Sequence, residues 1–218
     1  MNSKTIILGC GSQARYVLEA LVERHQFHNN ETEPEIILID IESDKMIGES
    51  VNGFKVLFNL EQLISESQLL DNYFVIAHGE NKLKEKLVNQ LRKYNIAYST
   101  VIHPRACISQ YATIGSGSII NSGAMVSPNA EIKSHCIIHS GSVIEHDCVI
   151  DDYANIAPGV ILAGRVHVGQ RSYLYAGATV IPGVNIGNDV TVGAGAVVLH
   201  DIPDGKTVVG VPAKEIKD

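Results

Sequence analysis

The chain has 218 residues, of which 45% are apolar and 19% are charged, and its formal net charge is −7 at pH 7. This length suits one large domain or two small ones, and an acidic surface disfavours binding to nucleic acids. The apolar run near the N-terminus is too short for a signal peptide and no later run is long enough to span a membrane, so we expect a cytoplasmic protein without a membrane partner.

The first predicted elements are a strand over residues 5–8 and a helix that follows it. A G-x-G-x-x-A turn joins them, and such turns let a backbone approach a phosphate at the N-terminus of a helix. The turn contains the candidate binding residues Gly9, Gly11, Ser12, Gln13 and Ala14. The motif alone is weak, because a tight strand-to-helix turn without a ligand has the same sequence.

Two more strands are predicted at residues 36–39, ending at Asp40, and 74–77, ending before His78 and Gly79. An amphipathic helix with Leu83, Leu87 and Leu91 on one face follows the third strand. Together these elements predict a small parallel α/β sheet of the Rossmann-like βαβ type over residues 1–100. A nicotinamide dinucleotide is disfavoured as its ligand, because the domain is short and lacks a second half.

From residue 102 onward an aliphatic residue recurs at every sixth position, seventeen times in succession. The series is Ile102, Ile108, Ile114, Ile120, Val126, Ile132, Ile138, Ile144, Ile150, Ile156, Leu162, Val168, Leu174, Val180, Ile186, Val192 and Val198. A second uncharged series lies four residues after the first and runs from Ala106 to Ile202. A helix would repeat near 3.6 residues and a plain strand near 2, so neither explains this period.

A period of six predicts a triangular parallel β-helix in which each hexad forms a short strand and a corner. Three hexads close one coil of about 18 residues, and aliphatic side chains fill its interior. We expect this β-helix over residues 101–204, unbroken to Ile202, followed by a tail over residues 205–218. Cys136 and Cys148 occupy inward positions, so we expect buried free thiols there rather than metal ligands.

The order of these parts resembles the hexapeptide-repeat sugar acetyltransferases of the NeuD and PglD group. The most specific stretches are Ile144-Glu145-His146-Asp147-Cys148, Ala157-Pro158-Gly159, Leu162-Ala163-Gly164 and the terminal Gly210-Val211-Pro212-Ala213-Lys214. The resemblance covers essentially the whole chain and implies a left-handed coil. It also implies an acetyl-CoA-dependent N-acetyltransferase that acts on the 4-amino group of a nucleotide-linked amino-deoxy sugar.

By this resemblance His146 is the general base, Asp147 raises its basicity, and Gly164 donates a backbone N–H to the thioester oxygen. The resemblance implies acetyl-CoA contacts at Asn155, Gly164, Ala176 and Ala194. It implies sugar-nucleotide contacts at Gly9, Gly11, Ser12, Gln13, Ala14, Asp40, Ile41 and Gly79. Ser12-Gln13 and Asn155 depart from the residues usual in the family, which leaves the identity of the sugar open.

The expected chemistry needs a base, and histidine is well matched to accept a proton at neutral pH. Thioesters are already activated, so direct transfer in a ternary complex is expected without a Ser or Cys nucleophile. Since Asp147 directly follows His146, the sequence leaves open whether its carboxylate points toward the imidazole. Two alternatives also stay open, namely O-acetylation of a sialic-acid-type acceptor and a non-catalytic scaffold that binds sugar nucleotides.

Two further expectations concern metal and assembly. His135, His139 and His146 could suggest a zinc site, but the resemblance favours a protein with no metal. The resemblance also implies a homotrimer whose active sites lie between subunits, where His146 of one copy meets coil residues of the next.

Overall fold

The computed structural model of the protein describes residues 4–27, 35–42, 46–65 and 72–216. The chain divides into two compact units, Met1–Pro104 and Arg105–Asp218. In the part of the chain that is described, no helix combines the length and the apolar character needed to cross a membrane.

The first unit is a Rossmann-like α/β domain. Its elements are β1 (Thr5–Leu8), α1 (Ser12–Phe27), β2 (Ile36–Asp40), β3 (Ser50–Val51), β4 (Phe54–Asn59), α2 (Leu60–Ser65), β5 (Tyr73–Ile76), α3 (Asn81–Leu91), a 3-10 helix (Arg92–Tyr94), β6 (Ala97–Tyr98) and β7 (Val101–Ile102). The sheet order is β3-β4-β2-β1-β5-β6, and β1 pairs in parallel with both β2 and β5.

Both faces of this sheet are covered. Ile6, Ile39 and Phe74 pack with Leu63 of α2 and Leu87 of α3 in one apolar cluster. The alternating residues Ile7, Leu38 and Val75 point to the other face and are also fully buried. Burial on two faces explains why these strands are continuous apolar runs in the sequence.

The sheet differs from the all-parallel prediction at one edge, where β3 and β4 form an antiparallel hairpin. Asn52 and Gly53 connect the two strands and have φ of 49° and 87°. Positive φ at both central residues matches the twist of a two-residue hairpin, and Asn-Gly is the dipeptide that adopts it most easily.

The second unit is a left-handed parallel β-helix, which confirms the predicted fold. Its strands are β8 (Cys107–Ile108), β9 (Thr113–Ile114), β10 (Ile119–Ile120), β11 (Met125–Val126), β12 (Glu131–Ile132), β13 (Ile137–Ile138), β14 (Val143–Ile144), β15 (Val149–Ile150), β16 (Asn155–Ile156), β17 (Ile161–Leu162), β18 (His167–Val168), β19 (Tyr173–Leu174), β20 (Thr179–Val180), β21 (Asn185–Ile186), β22 (Thr191–Val192), β23 (Val197–Val198), β24 (Thr207–Val209) and β25 (Lys214–Glu215).

Three parallel sheets form the sides of the coil. The first face contains β10, β13, β16, β19, β22 and β24, with β25 antiparallel at its end. The second face contains β8, β11, β14, β17, β20 and β23, and the third contains β9, β12, β15, β18 and β21. Partners such as Ile138 and Ile156 are eighteen residues apart, as three hexads per coil require.

The predicted aliphatic ladder fills the interior. From Ile120 to Val198 each residue of the large series is at most 1% exposed, whereas Ile108 and Ile114 on the first coil are half-buried. Cys136 and Cys148 are buried free thiols, as expected, and donate to the carbonyls of Asp151 and Ala163.

The corners repeat with the same period. Every sixth residue from Gly117 to Gly195 has a left-handed backbone with φ between 55° and 75°. The non-glycine members are Asn129, His135, Asp147, Tyr153, Arg165, Arg171 and Asp189. A left-handed non-glycine residue costs about 1–2 kcal/mol, so pairing between stacked coils must hold these corners in place.

The prediction that the repeat continues unchanged to Ile202 is wrong. Ile202 pairs with Ile186 and Val208 with Val192, which are spacings of sixteen residues instead of eighteen. The last coil is therefore two residues shorter than the others. At this point the N–H of Asn185 donates to the Asp201 side chain at 2.8 Å instead of to a backbone carbonyl of the next coil. Ile202 therefore occupies an inward position of the large aliphatic series, in line with Ile186. The strand ladder continues to Val209, beyond the expected boundary at residue 204.

Candidate functional site

The predicted base lies on the corner between the second and third faces of the coil. Ile144 ends β14 and points inward, and His146 follows two residues later. Nδ1 of His146 lies 2.8 Å from Oδ2 of Asp147, whose φ is 59°. The left-handed backbone at Asp147 accompanies a carboxylate directed toward the imidazole, which answers the question that the sequence left open.

Asp147 has a second partner that the sequence analysis missed. Nδ2 of Asn129 donates to Oδ1 of Asp147 at 3.1 Å from a position eighteen residues earlier. The hydrogen bonds from His146 and Asn129 both favour the ionised carboxylate and lower the pKa of Asp147. An ionised carboxylate only accepts hydrogen bonds, so Nδ1 of His146 carries the proton and Nε2 is left to accept one.

Gly164 lies one coil after His146, on the same corner. A Cβ placed on Gly164 would be 2.5 Å from Nε2 of His146, so the imidazole packs directly against the glycine backbone. No group in the described part of the chain accepts a hydrogen bond from the N–H of Gly164. The structure thus brings together His146, Asp147 and Gly164, with a proton acceptor beside an N–H donor.

The residues predicted to bind acetyl-CoA lie elsewhere on the coil. Asn155 is in β16 of the first face and is fully buried. Ala176 and Ala194 are exposed on the corner that joins the first face to the second, with Gly195 N–H donating to the Ala176 carbonyl at 2.9 Å. Within one chain the whole second face separates this corner from His146 and Gly164.

An aromatic pair flanks these predicted acetyl-CoA contacts and was not found from the sequence. Tyr173 is paired in register with Asn155, and its ring stacks on Tyr175 with centroids 4.3 Å apart. Burial raises the pKa of Tyr173, whereas Tyr175 is 45% exposed and directly precedes Ala176. An exposed ring beside a small-residue corner offers a flat apolar contact for an extended ligand.

In the first unit, the glycine turn lies where the strand order reverses. The chain moves from β1 to β2 on one side and later returns to β5 on the other, and ligands of open α/β sheets bind at such points. Gly9 has φ of +118°, and a Cβ there would be 2.6 Å from the carbonyl oxygen of Ala77. Only glycine fits this contact, so the packing of the turn against Ala77 requires glycine at this position whether or not a ligand binds.

The other residues of the glycine turn differ in how far they are exposed. A Cβ on Gly11 would meet open space, and Ser12 is exposed. The Gln13 side chain lies about 4.0 Å from where a Gly79 Cβ would be. Ala14 is completely buried, so its side chain packs in the core and does not reach a ligand.

Asp40 and Ile41 line a cavity of about 490 Å³ near the carboxyl end of β2. Its other lining residues are Glu42, Asn59, Leu60, Glu61, Leu83, Lys86, Leu87 and Gln90. Asp40 accepts the N–H groups of Glu42 and Met46, both at 3.0 Å, and so holds both of these backbone groups at the end of β2. Gly79 and the glycine turn are not among the cavity's lining residues.

Glu42 and His78 form a further polar pair at this edge of the sheet. Nε2 of His78 lies 2.6 Å from Oε1 of Glu42, while Nδ1 accepts the N–H of Glu80 at 3.1 Å. Acidic groups also affect Cys10, because burial and the charges of Asp40 and Glu42 raise the pKa of its thiol to about 11.

The three histidines considered for zinc have separate partners. The His135 ring stacks on Tyr153, Nδ1 of His139 lies 3.4 Å from Nδ2 of Asn121, and His146 binds Asp147. Among the described residues, the group whose ligand atoms lie within 4.8 Å of one another is instead Glu19, Glu23 and His103.

Comparison with known proteins agrees with this architecture. A family model described as bacterial transferase hexapeptide (six repeats) matches residues 129–164 and 165–200. A mutant of GDP-perosamine N-acetyltransferase from Caulobacter crescentus, in complex with CoA and GDP-perosamine, is 31% identical, with 100% of this chain and 99% of that chain covered and a TM-score of 0.90. No curated protein sequence gives a significant match.

Two other solved structures are similar over nearly the full length. The acetyltransferase domain of PglB from Neisseria gonorrhoeae, in complex with acetyl coenzyme A, is 32% identical, with coverage of 99% and 100% and a TM-score of 0.88. WeeI from Acinetobacter baumannii is 29% identical, with coverage of 98% and 100% and a TM-score of 0.85. The chain therefore belongs to the hexapeptide-repeat sugar acetyltransferases of the PglD and NeuD type.

Proposed function

We propose that the protein transfers the acetyl group of acetyl-CoA to the 4-amino group of a nucleotide-linked amino-deoxy sugar. The observation that carries this proposal is the arrangement of His146. Asp147 holds its Nδ1, and its Nε2 lies against the backbone of Gly164. Similar structures hold CoA with GDP-perosamine, or acetyl-CoA, which supports the same pair of substrates here.

The reaction needs one proton acceptor and one donor to the developing oxyanion. The neutral amine attacks the thioester carbon, a C–N bond forms, and the carbonyl electrons move onto oxygen. Gly164 N–H donates to that oxygen, an interaction typically worth about 3 kcal/mol. Nε2 of His146 takes the proton from nitrogen, the C–S bond breaks, and the departing CoA thiolate receives that proton.

Each substrate has a proposed place. The first unit holds the nucleotide through its glycine turn and the cavity beside Asp40 and Ile41. On the coil, Ala176 and Ala194 contact acetyl-CoA and the exposed ring of Tyr175 lies beside that path, whereas the fully buried Asn155 presents no surface to it in a single chain. The chemistry requires no metal, since the base and the oxyanion donor both come from the chain.

A complete site in this scheme requires more than one copy of the chain. His146 and Ala176 lie at opposite edges of the second face, so one coil cannot present both to the same thioester. Apart from Glu145, the outward positions of the second face are uncharged, and Met125 and Ile161 are both 44% exposed on it. These features support a homotrimer in which His146 of one subunit meets the acetyl-CoA contacts of the next.

Release of CoA thiol from acetyl-CoA tests this function directly. The acceptor panel contains GDP-perosamine, UDP- and dTDP-linked 4-amino-4,6-dideoxy sugars, and sialic acid as a hydroxyl acceptor. Thiol release with amino sugars alone, together with an acetylated product in the mass spectrum, supports N-acetylation. Turnover of sialic acid alone would favour O-acetylation, and the absence of turnover with every acceptor would contradict an enzymatic role for these ligands.

A further inference from the structure

We propose that Glu145 binds the protonated amino group of the acceptor and thereby selects nitrogen over oxygen acceptors, an inference that rests on the proposed function. Glu145 stands between Ile144, which points inward, and His146. Because side chains alternate along a strand, Glu145 points outward from the second face. Its N–H donates to the Leu162 carbonyl at 3.0 Å, which fixes its backbone in the ladder.

The surroundings of Glu145 are otherwise uncharged. Two columns of outward positions run along the second face, one through the strands and one just after them. They contain Cys107, Met125, Val143, Ile161, Thr179, Val197, Ser109, Ser127, Ala163, Ile181 and Leu199, besides Glu145 itself. Glu145 is the one ionisable carboxylate among these twelve positions, and it stands next to the proposed base.

The Glu145 carboxylate also has no charged or hydrogen-bonding partner among the residues that the structure describes, although it is half-buried. The other acidic side chain of this corner is different, because Asp147 is held by both His146 and Asn129. A partly buried carboxylate without a partner is costly unless a cation binds it. Burial raises the pKa of the Cys148 thiol, and the negative charge of Glu145 raises it further.

A primary amine is mostly protonated at neutral pH, so the acceptor carries the positive charge that Glu145 lacks. A hydrogen bond between charged groups is stronger than one between a carboxylate and a hydroxyl, so an amino acceptor gains more from this position than a hydroxyl acceptor. An ammonium bound at Glu145 lies on the second face, next to the corner that carries His146. One proton then leaves through His146 to solvent before the neutral amine attacks the thioester.

Glu145→Gln tests the assignment by competition binding and by steady-state kinetics. The ligands are the best amino-sugar nucleotide of the acceptor panel and its isostere with a hydroxyl in place of the amino group. We expect binding of the amino ligand to weaken at least tenfold, with an equal rise in its KM. Affinity for the hydroxyl isostere and the KM for acetyl-CoA should stay within about twofold of wild type.

Glu131→Gln is the matched control, because Glu131 lies outward on the third face and pairs with Lys133 at 2.5 Å; both ligands should bind it as they bind wild type. Equal weakening of both ligands by E145Q would indicate a structural role and overturn the inference, as would an unchanged affinity for the amino ligand. If wild type fails to acetylate any amino sugar, the proposed function itself fails, and the binding ratio still reports separately on Glu145.

Discussion

The imidazole of His146 and the backbone of Gly164 are in such close contact that a methyl group on Gly164 would lie 2.5 Å from Nε2 and 2.6 Å from Cε1. A contact below 3.0 Å forces one group to move, and the side chain moves more easily than the backbone of the ladder. Gly164→Ala should therefore displace the imidazole, lengthen its hydrogen bond to Asp147 and lower kcat by about 100-fold, as expected for loss of a general base.

The control for this prediction is the double variant with His146→Ala, since removing the ring removes the clash. In the H146A background the Gly164→Ala change should alter neither the melting temperature nor the remaining activity, a non-additivity typical of residues in contact. Gly164 does not have a positive φ, so alanine meets no backbone strain there. Additive losses in the double variant would show that Gly164 acts independently of the ring.

Asp147→Asn should lower kcat by about 10- to 100-fold, because the imidazole loses the charged acceptor that holds the proton on Nδ1. Asn129→Ala should have a smaller effect in the same direction. The hydrogen bonds from His146 and Asn129 lower the pKa of Asp147, so its interaction is fully present above the ordinary carboxyl pKa and is lost as pH falls through the lowered value. A pH–rate profile checks this, since Asp147 should stay ionised at every pH above the ordinary carboxyl pKa.

Much of the coil could be predicted because its period is a geometric constant. Once six residues make a strand and a corner, residues eighteen apart are stacked neighbours, as Asn155 and Tyr173 are. The same rule could have identified Asn129 as a partner of Asp147. It fails only where the chain departs from the period, at the two-residue loss before Ile202, and there a further step of six from Val198 falls on the charged Asp204.

Other features depend on backbone conformation or on long-range packing. The Asp147 carboxylate points toward the imidazole on a backbone with left-handed φ. The same corner conformation occurs at glycine, arginine and tyrosine, so the residue type at a corner does not predict where its side chain points. The cavity that Asp40 shares with Lys86 joins segments far apart in the sequence. The Asn52-Gly53 hairpin, by contrast, has a local sequence signature, although β3 on one side of it is only 2 residues long.

The four thiols should react at very different rates with a maleimide or with DTNB at pH 8. Cys107 is exposed and should react first, whereas Cys136 and Cys148 are buried. Cys10 should also be slow, because the pKa of its thiol is raised to about 11. Its neutral form is favoured in the folded state, so its contribution to stability is present below the ordinary thiol pKa and is lost as pH rises toward 11. Labelling followed by mass spectrometry identifies the fast site, and rapid modification of Cys10 would contradict this account.

The interior ladder should be most sensitive to truncation in its middle. Ile156 is fully buried between Ile138 and Leu174, so Ile156→Ala should cost about 2–5 kcal/mol. Ile108→Ala on the first coil should cost less, since its side chain is only half-buried. Urea unfolding monitored by circular dichroism compares the two midpoints, and equal losses would show that burial in the stack does not set the cost.

Ile161→Glu should separate the subunits of the proposed trimer. Ile161 is 44% exposed on the second face, and burying an unpaired carboxylate against another apolar face is strongly unfavourable. Activity should fall with assembly, because His146 and Ala176 of one chain lie at opposite edges of that face and would no longer meet across a subunit boundary. Val149→Glu on the third face is the matched control, where the neighbouring outward positions Glu131 and His167 are already polar. Sedimentation velocity should give a smaller species for I161E and a wild-type one for V149E; a monomeric yet fully active I161E would refute the shared site.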